Sequence, residues 1–243
     1  MSVHFFFKQL NNLVVHLQLA SSTFAAKTSM AQTSIADIRR DYKLQSFLET
    51  DAAANPIEQF TKWWQEAIKS NIDEVNAVTL ATCTKDGKPS ARTVLLKDYD
   101  ENGFVFFTNY NSHKGKEIDE NPHAALVFFW KELERQIRIE GTVQKIDDAK
   151  SDAYFLSRPT GSKIGAWTSP QSEVIANRTI LETHEARFKK EFGENIPRPL
   201  HWGGYIVQPT VIEFWQGRSS RLHDRLQYRL DTNRNWVIER LAP

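Results

Sequence analysis

VTLATCTKDGKPSARTVLLK, residues 78–97, decides the fold. Val78–Thr84 is rich in β-branched residues and reads as a strand, and Pro89–Lys97 reads as its return. Between them Lys85-Asp86-Gly87-Lys88 carries the Asp-Gly signal of a tight hairpin. The pattern repeats toward the C-terminus. After a turn at Asp98–Gly103, strands are expected at Phe104–Thr108, Ala124–Trp130, Arg135–Lys145, Gly203–Gln208, Val211–Trp215 and Trp236–Arg240. Helices fall between and around them. Pro56, with Asn55 as cap, starts one whose Phe60, Trp63, Trp64, Ala67 and Ile68 recur at helical spacing as a core stripe. Others are expected at Tyr110–Asn121 (capped by Asn111 or Ser112), at Ala149–Arg158 and as a long charged helix at Ser172–Phe192. Ser162–Trp167 reads as a loop or short helix, and Ile35–Leu48 as a short helix or ordered arm. Antiparallel strands with short connections and peripheral α-helices describe a mainly β protein. The expectation is a closed barrel with flanking helices, not a parallel α/β sheet.

The bulk numbers narrow the class. The 243 residues suffice for one large domain, and 40% hydrophobic with 25% charged residues is ordinary globular composition. A net charge of +1 gives no footprint of nucleic-acid binding. A single cysteine, Cys83, permits no intrachain disulfide and points to a reducing compartment, the cytoplasm. The seven His do not cluster at ligand spacing, so no metal site is expected. No apolar run reaches the roughly 18 residues of a membrane span. Residues 1–36 hold no Asp or Glu and read as a flexible leader ahead of a single domain at 37–243. Their Ser-rich composition is also that of a mitochondrial address, although the segment lacks Arg.

Neither a G-x-G-x-x-G nor a G-x-x-x-x-G-K-[ST] motif is present, so phosphate must be held by side chains and loop amides. The densest chemistry lies in EFWQGRSSRLHDR, residues 213–225. Read as strand resuming at Arg221, it places Arg221, His223 and Arg225 on one face, with Leu222 and Asp224 on the other. Arg, His and Arg beside the Trp215 indole suit a flat anionic ligand. Taken alone, the pattern equally describes solvated cations on an exposed strand. Further anion-binding candidates are Arg92 and Lys97, which bracket one strand, and Ser112-His113-Lys114 at a helix start. Tyr154 and Arg158 lie one helical turn apart with Ser162 following, and Gln171-Ser172 opens another helix. That many candidates suggest two anionic ligands.

With those residues assembled, the chain resembles the pyridoxamine/pyridoxine 5′-phosphate oxidases. The resemblance runs from about Ile38 to Pro243. It is carried by Arg92-Thr-Val-Leu-Leu-Lys97, Phe107-Thr108-Asn109, Glu134-Arg135-Gln136, Ser157-Arg158-Pro159, Ile164-Gly165-Ala166-Trp167, Gln171-Ser172, Phe214-Trp215-Gln216-Gly217, Arg221-Leu222-His223-Asp224-Arg225 and Glu239-Arg240-Leu241-Ala242-Pro243. It implies an FMN-binding split β-barrel, a homodimer with FMN at the interface, and oxidation of pyridoxamine or pyridoxine 5′-phosphate to pyridoxal 5′-phosphate with O2 reduced to H2O2. Position by position, it implies that Arg92, Thr93, Val94, Leu95, Phe107, Thr108, His113, Lys114, Gln136, Gln171, Ser172, Trp215 and Arg225 hold FMN. Lys97, Tyr154, Arg158 and Ser162 would take the substrate phosphate. Arg221, Leu222 and His223 would lie at the pyridine ring, Arg221 and His223 as the catalytic pair, and Arg39, Arg40, Asp41 and Tyr42 would form an arm over the substrate.

At one position the chain departs from the family pattern. The family commonly has Arg where His113 stands, and His is only partly charged near neutral pH. Weaker FMN binding above neutral pH is the expectation, with His113→Arg as its test. Two rival functions share the barrel: a non-catalytic carrier of flavin or pyridoxal phosphate, and a reductase using a nicotinamide donor. The complete substrate-side set argues against both.

Overall fold

Strands β1 (Ala77–Cys83) and β2 (Pro89–Leu95) form the hairpin expected from Asp86-Gly87, with Gly87 at φ +83° as the turn demands. The structure, a computed structural model, describes residues 34–243. The leader expected at 1–36 lies outside the described residues except for its last three. The chain divides into two compact units, 1–40 and 41–243. Of the first, the described part is a 3-10 turn, Ile35–Asp37, capped by the Ser34 hydroxyl, followed by extended chain.

The second unit adds β3 (Asp98–Asp100), β4 (Gly103–Asn109), β5 (His123–Trp130), β6 (Arg135–Lys145), β7 (Trp202–Gln216), β8 (Asp224–Leu230) and β9 (Trp236–Arg240). All pairings are antiparallel, in the order β2-β1-β5-β6-β7-β4-β3, with β8 on β7 and β9 on β8. The ring closes because β3 continues β2 after two residues. One end of that continuous segment pairs with β1, and the other pairs with β4, beginning with the Lys97 N–H donating to the Val105 carbonyl at 2.9 Å. β7 is long enough to serve two partners, β4 along residues 202–207 and β8 along 211–216. The barrel is therefore split along β7, where its pairing with β4 stops and its pairing with β8 starts.

Helix α1 (Pro56–Lys69) starts where expected, with the Asn55 side chain accepting from the Ile57 N–H at 2.7 Å. It buries Phe60, Trp63 and Ala67 in the barrel core. Phe60 meets Tyr99 and Phe104 edge-to-face at 4.8 and 4.9 Å, and Trp63 meets Phe214 at 5.2 Å. Ile68, assigned to that stripe from its spacing, is exposed. Helix α2 is His113–Glu120, α3 is Asp148–Ser157, α4 is Thr160–Thr168 and α5 is Thr179–Phe192. A second core of Phe155, Ile164, Ile196 and Trp202 joins α3 and α4 to the start of β7.

Three expectations are corrected. The helix predicted over Ser172–Phe192 starts only at Thr179, because Ser172 sits at φ +74° in a turn and residues 169–178 offer no apolar stripe to bury. Gly203–Gln208 and Val211–Trp215 are one strand. It passes Pro209 because a bulge leaves Thr210 unmatched, with Gly141 opposite Pro209 and Glu140 opposite Val211. The strand placed over Arg221–Arg225 begins at Asp224. Ser220 and Arg221 instead take left-handed φ values of +59° and +62° in a 3-10 turn, Ser219–Arg221, so Arg221 does not share a strand face with Arg225.

Candidate active site

Outside the barrel wall, β2, β4, the start of β7 and helices α3 and α4 enclose a cavity of about 640 Å3. Arg92, Lys97, Lys114 and Arg158 line it, and among the described residues no Asp or Glu does. β2 supplies Arg92, Thr93, Val94 and Leu95, and Lys97 follows on the same strand run. Phe107 and Thr108 come from β4, Tyr154 from α3, Arg158 and Ser162 from the α3–α4 corner, and Gln171 from the turn after α4.

The charges are set by what surrounds them. Lys114 is buried, and its Nζ donates to Thr108 Oγ1 at 3.1 Å, Ser112 Oγ at 3.2 Å and Gln171 Oε1 at 3.3 Å. Burial, and then the nearby Arg92 guanidinium, lower its pKa to about 8. Arg92 is backed by Glu117, 3% exposed, whose Oε2 lies 3.2 Å from Arg92 Nη2. Glu117 also accepts from Ser90, Thr82 and His113. Burial alone would raise its pKa, but those hydrogen bonds, with the His113 charge, hold it down at about 2.

The opposite wall is aromatic. Phe107 stacks on Tyr154 with ring centres 3.9 Å apart and on Trp202 at 5.5 Å. The Arg158 guanidinium lies over Trp202 at 4.4 Å, and burial lowers its pKa. Its Nη1 is buried with no hydrogen-bond partner among the described residues. A buried cationic donor left open at a cavity wall is costly unless a ligand oxygen meets it.

A second group of the expected residues lies elsewhere on the chain. Gln136 on β6 is opposite Trp215 on β7, and Trp215 is opposite Arg225 on β8. Directly paired residues share a sheet face, so the three stand in a row. Arg225 Nε donates to the buried Glu213 at 2.7 Å, which raises the Arg225 pKa. The His223 ring packs 4.5 Å from Trp215 and accepts at Nδ1 from the Arg218 main-chain N–H at 3.0 Å. Burial, Arg221 and Arg225 lower the His223 pKa. Tyr42 meets Trp215 edge-to-face at 5.8 Å, and its carbonyl accepts from Ser219 Oγ. Gly217 admits that ring: a Cβ there would lie 2.8 Å from it. Asp41 pairs with Lys43 on the surface, and Leu222 is exposed. None of these residues lines the large cavity. Arg39 and Arg40 belong to the first unit.

His113 is also outside that cavity. Its ring, mostly exposed, reaches Glu117 Oε1 at 2.9 Å, and with Ser172 it borders a separate cleft of about 230 Å3. Two residues that the sequence reading passed over matter here. Trp202 completes the aromatic wall; its only sequence signal is its place ahead of Gly203-Gly204 at a strand start. Glu117 orders Arg92, and its four-residue spacing from His113 was the available clue.

Fold and site together define an antiparallel split-barrel protein with a cationic, aromatic-walled cavity. The chain belongs to the pyridoxamine 5′-phosphate oxidase family. Residues 64–190 match the family described as pyridoxamine 5′-phosphate oxidase, and residues 202–243 match the pyridoxine 5′-phosphate oxidase C-terminal dimerisation region. A pyridoxine/pyridoxamine 5′-phosphate oxidase of Cupriavidus metallidurans is 57% identical over 211 residues, 87% of this chain and 100% of the relative. One of Thermosynechococcus vestitus is 59% identical over the same shares of both chains. Among solved structures, PhzG of Burkholderia lata, in complex with tetrahydrophenazine-1-carboxylic acid, has a TM-score of 0.77 at 31% identity, covering 82% of this chain and 99% of that one. An FMN-binding protein of Nostoc punctiforme, related to pyridoxamine 5′-phosphate oxidase, shares the fold with a TM-score of 0.62 at 17% identity, covering 79% and 100%.

Proposed function

We propose that this chain oxidises pyridoxamine 5′-phosphate and pyridoxine 5′-phosphate to pyridoxal 5′-phosphate as an FMN-dependent homodimer, reducing O2 to H2O2 in salvage of vitamin B6. The observation that carries the reading is the cavity lined, among the described residues, by four cations, no carboxylate and an Arg158 nitrogen without a partner. Such a wall fits phosphate esters and repels cations. The stacked Phe107, Tyr154 and Trp202 fit the need for flat apolar surface beside those charges.

The residues present fit FMN together with a phosphorylated substrate. Arg92, Thr93, Val94, Leu95, Thr108, Lys114 and Gln171 would hold FMN from one protomer. Gln136, Trp215 and Arg225 would complete its site from the other, which accounts for two groups that line no common cavity within one chain. Ser172 and His113 border the adjoining cleft. When bound, FMN supplies the two-electron acceptor for the substrate carbon bearing the amine or alcohol and passes the electrons to oxygen.

The protein's own work is placement and charge. Lys97, Arg158, Tyr154 and Ser162 would anchor the substrate phosphate, each charge-assisted bond contributing roughly 1.5–3 kcal/mol. The rigid aromatic walls would hold the ring in place and exclude water. Arg221 and His223, on the turn before β8, would position the pyridine ring and its reacting substituent, with Tyr42 covering them.

The test is anaerobic. Purified protein carrying yellow flavin, mixed with pyridoxine 5′-phosphate without oxygen, should bleach. Admitting air should restore the colour and release pyridoxal 5′-phosphate and peroxide. A bound flavin that stays oxidised would favour the carrier or the nicotinamide-dependent reductase. A protein that takes up no FMN would remove the cofactor assignment.

A further inference from the structure

We infer that Arg218 is a positioning residue: its main-chain N–H holds His223 in the tautomer that carries its proton on Nε2, so that His223 serves the reaction as a neutral hydrogen-bond donor and not as a base. The inference rests on the proposed placement of His223 at the substrate ring.

The argument starts from one contact. Arg218 N lies 3.0 Å from His223 Nδ1. A peptide N–H can only donate, so Nδ1 must offer a lone pair. A neutral imidazole has one donor and one acceptor nitrogen, so the proton sits on Nε2. A second proton could enter only at Nδ1. That would break the contact and set a cation beside Arg221 and Arg225, opposed by Asp224, with Asp41 hydrogen-bonded to Ser219 and Ser220 on the same turn. The other groups against the ring are the aromatic faces of Trp215 from β7 and Tyr42 from the arm.

The Arg218 N–H is itself held. The Arg218 side chain reaches Asp224 Oδ2 at 2.8 Å, and Asp224 also receives the Phe47 N–H at 3.0 Å and Arg240 Nη1 at 3.0 Å. The intervening turn keeps Ser220 and Arg221 at left-handed φ, a conformation that persists in such residues only where the surroundings enforce it. Residues 218–224 thus form a closed ring of contacts with His223 inside. With Nδ1 engaged and Nε2 already protonated, His223 has no lone pair for the proton that the substrate alcohol or ammonium loses. Its Nε2–H, without a partner among the described residues, can orient a substrate lone pair.

The test uses FMN-loaded full chain labelled with 15N-histidine, the His223→Gln variant identifying the His223 signals. At neutral pH without substrate, Nδ1 should resonate as an unprotonated nitrogen and Nε2 as a protonated one. A proton on Nδ1 would overturn the inference. This spectrum needs no turnover, so it stands even if the oxidase reading fails. In Arg218→Ala the N–H remains but its Asp224 anchor is lost, and the ring should become a mixture of tautomers; an unchanged spectrum would remove Arg218 as positioning residue. In turnover, glutamine places an N–H near Nε2, whereas asparagine places one near Nδ1. His223→Gln should therefore keep kcat within tenfold while His223→Asn loses far more. If both fall by the roughly 10²–10⁴-fold of a lost proton-transfer group, His223 is the base.

Discussion

Replacing Glu117 by Gln isolates the charge that orders the cation side of the cavity. The side chain is buried against Ser90, Thr82, His113 and Arg92, so solvent screens it little. Its pKa falls from 4.5 to about 2 on folding, which converts to about 3 kcal/mol of stability at roughly 1.4 kcal/mol per pH unit. A carboxylate with a depressed folded pKa contributes fully above its unfolded value and loses the contribution as pH falls toward the folded one. The wild-type advantage over Glu117→Gln should therefore be about 3 kcal/mol at neutral pH, an apparent Tm difference of about 6–12 °C, and shrink to about 2 kcal/mol near pH 3.5. Urea unfolding of both proteins at the two pH values, at one protein concentration, measures it. A gap below about 1 kcal/mol at neutral pH, or one equally large at both pH values, would refute the account of Glu117 as a hydrogen-bonded buried anion.

Lys114, with its pKa near 8, gives the cavity a pH limit. FMN affinity, followed by quenching of flavin fluorescence, should fall as pH rises through 8, and Lys114→Arg should flatten the profile. Arg158→Ala removes the open guanidinium and should raise KM for pyridoxine 5′-phosphate about 10–100-fold, the loss of one or more charge-assisted contacts. The two-chain site predicts complementation. Lys97→Ala and His223→Ala, each inactive, should regain about one quarter of wild-type activity when refolded together, since half the dimers are mixed and each of those has one intact site. No recovery would place both groups in one protomer's site. Phe60→Ala should cost about 3–5 kcal/mol in urea unfolding, because the ring is fully enclosed by Tyr99, Phe104, Phe128 and Trp130.

Local chemistry was legible in the sequence where it depends on neighbours in the chain. The Asp86-Gly87 hairpin, the Asn55–Pro56 helix start and the Ser112 cap follow from turn and capping rules that act over two to four residues. The longer strand runs from Ala77 to Lys145 were equally readable, because alternation and β-branching report a half-buried sheet, but the three-residue β3 (Asp98–Asp100) was read as part of the Asp98–Gly103 turn and is a strand only by its pairing with β4. Period-two spacing misled at Arg221–Arg225, since nothing local announces that Ser220 and Arg221 will be held left-handed. That conformation is imposed by partners far away in the chain, among them Tyr42 through Ser219 and Phe47 through Asp224. The same holds for Pro209, which looks like a strand break and is tolerated only because Thr210 bulges.

The sequence by itself determined the antiparallel order of elements, the family and the inventory of cationic and aromatic residues, all carried by short segments and their spacing. Tertiary structure alone decided how those residues are used. It placed Glu117 behind Arg92, slid Trp202 under Phe107, left one Arg158 nitrogen open and closed residues 218–224 around His223. Each of these depends on burial and on contacts across many residues of chain, and burial is what turns an ordinary charged side chain into one with a fixed partner and a displaced pKa.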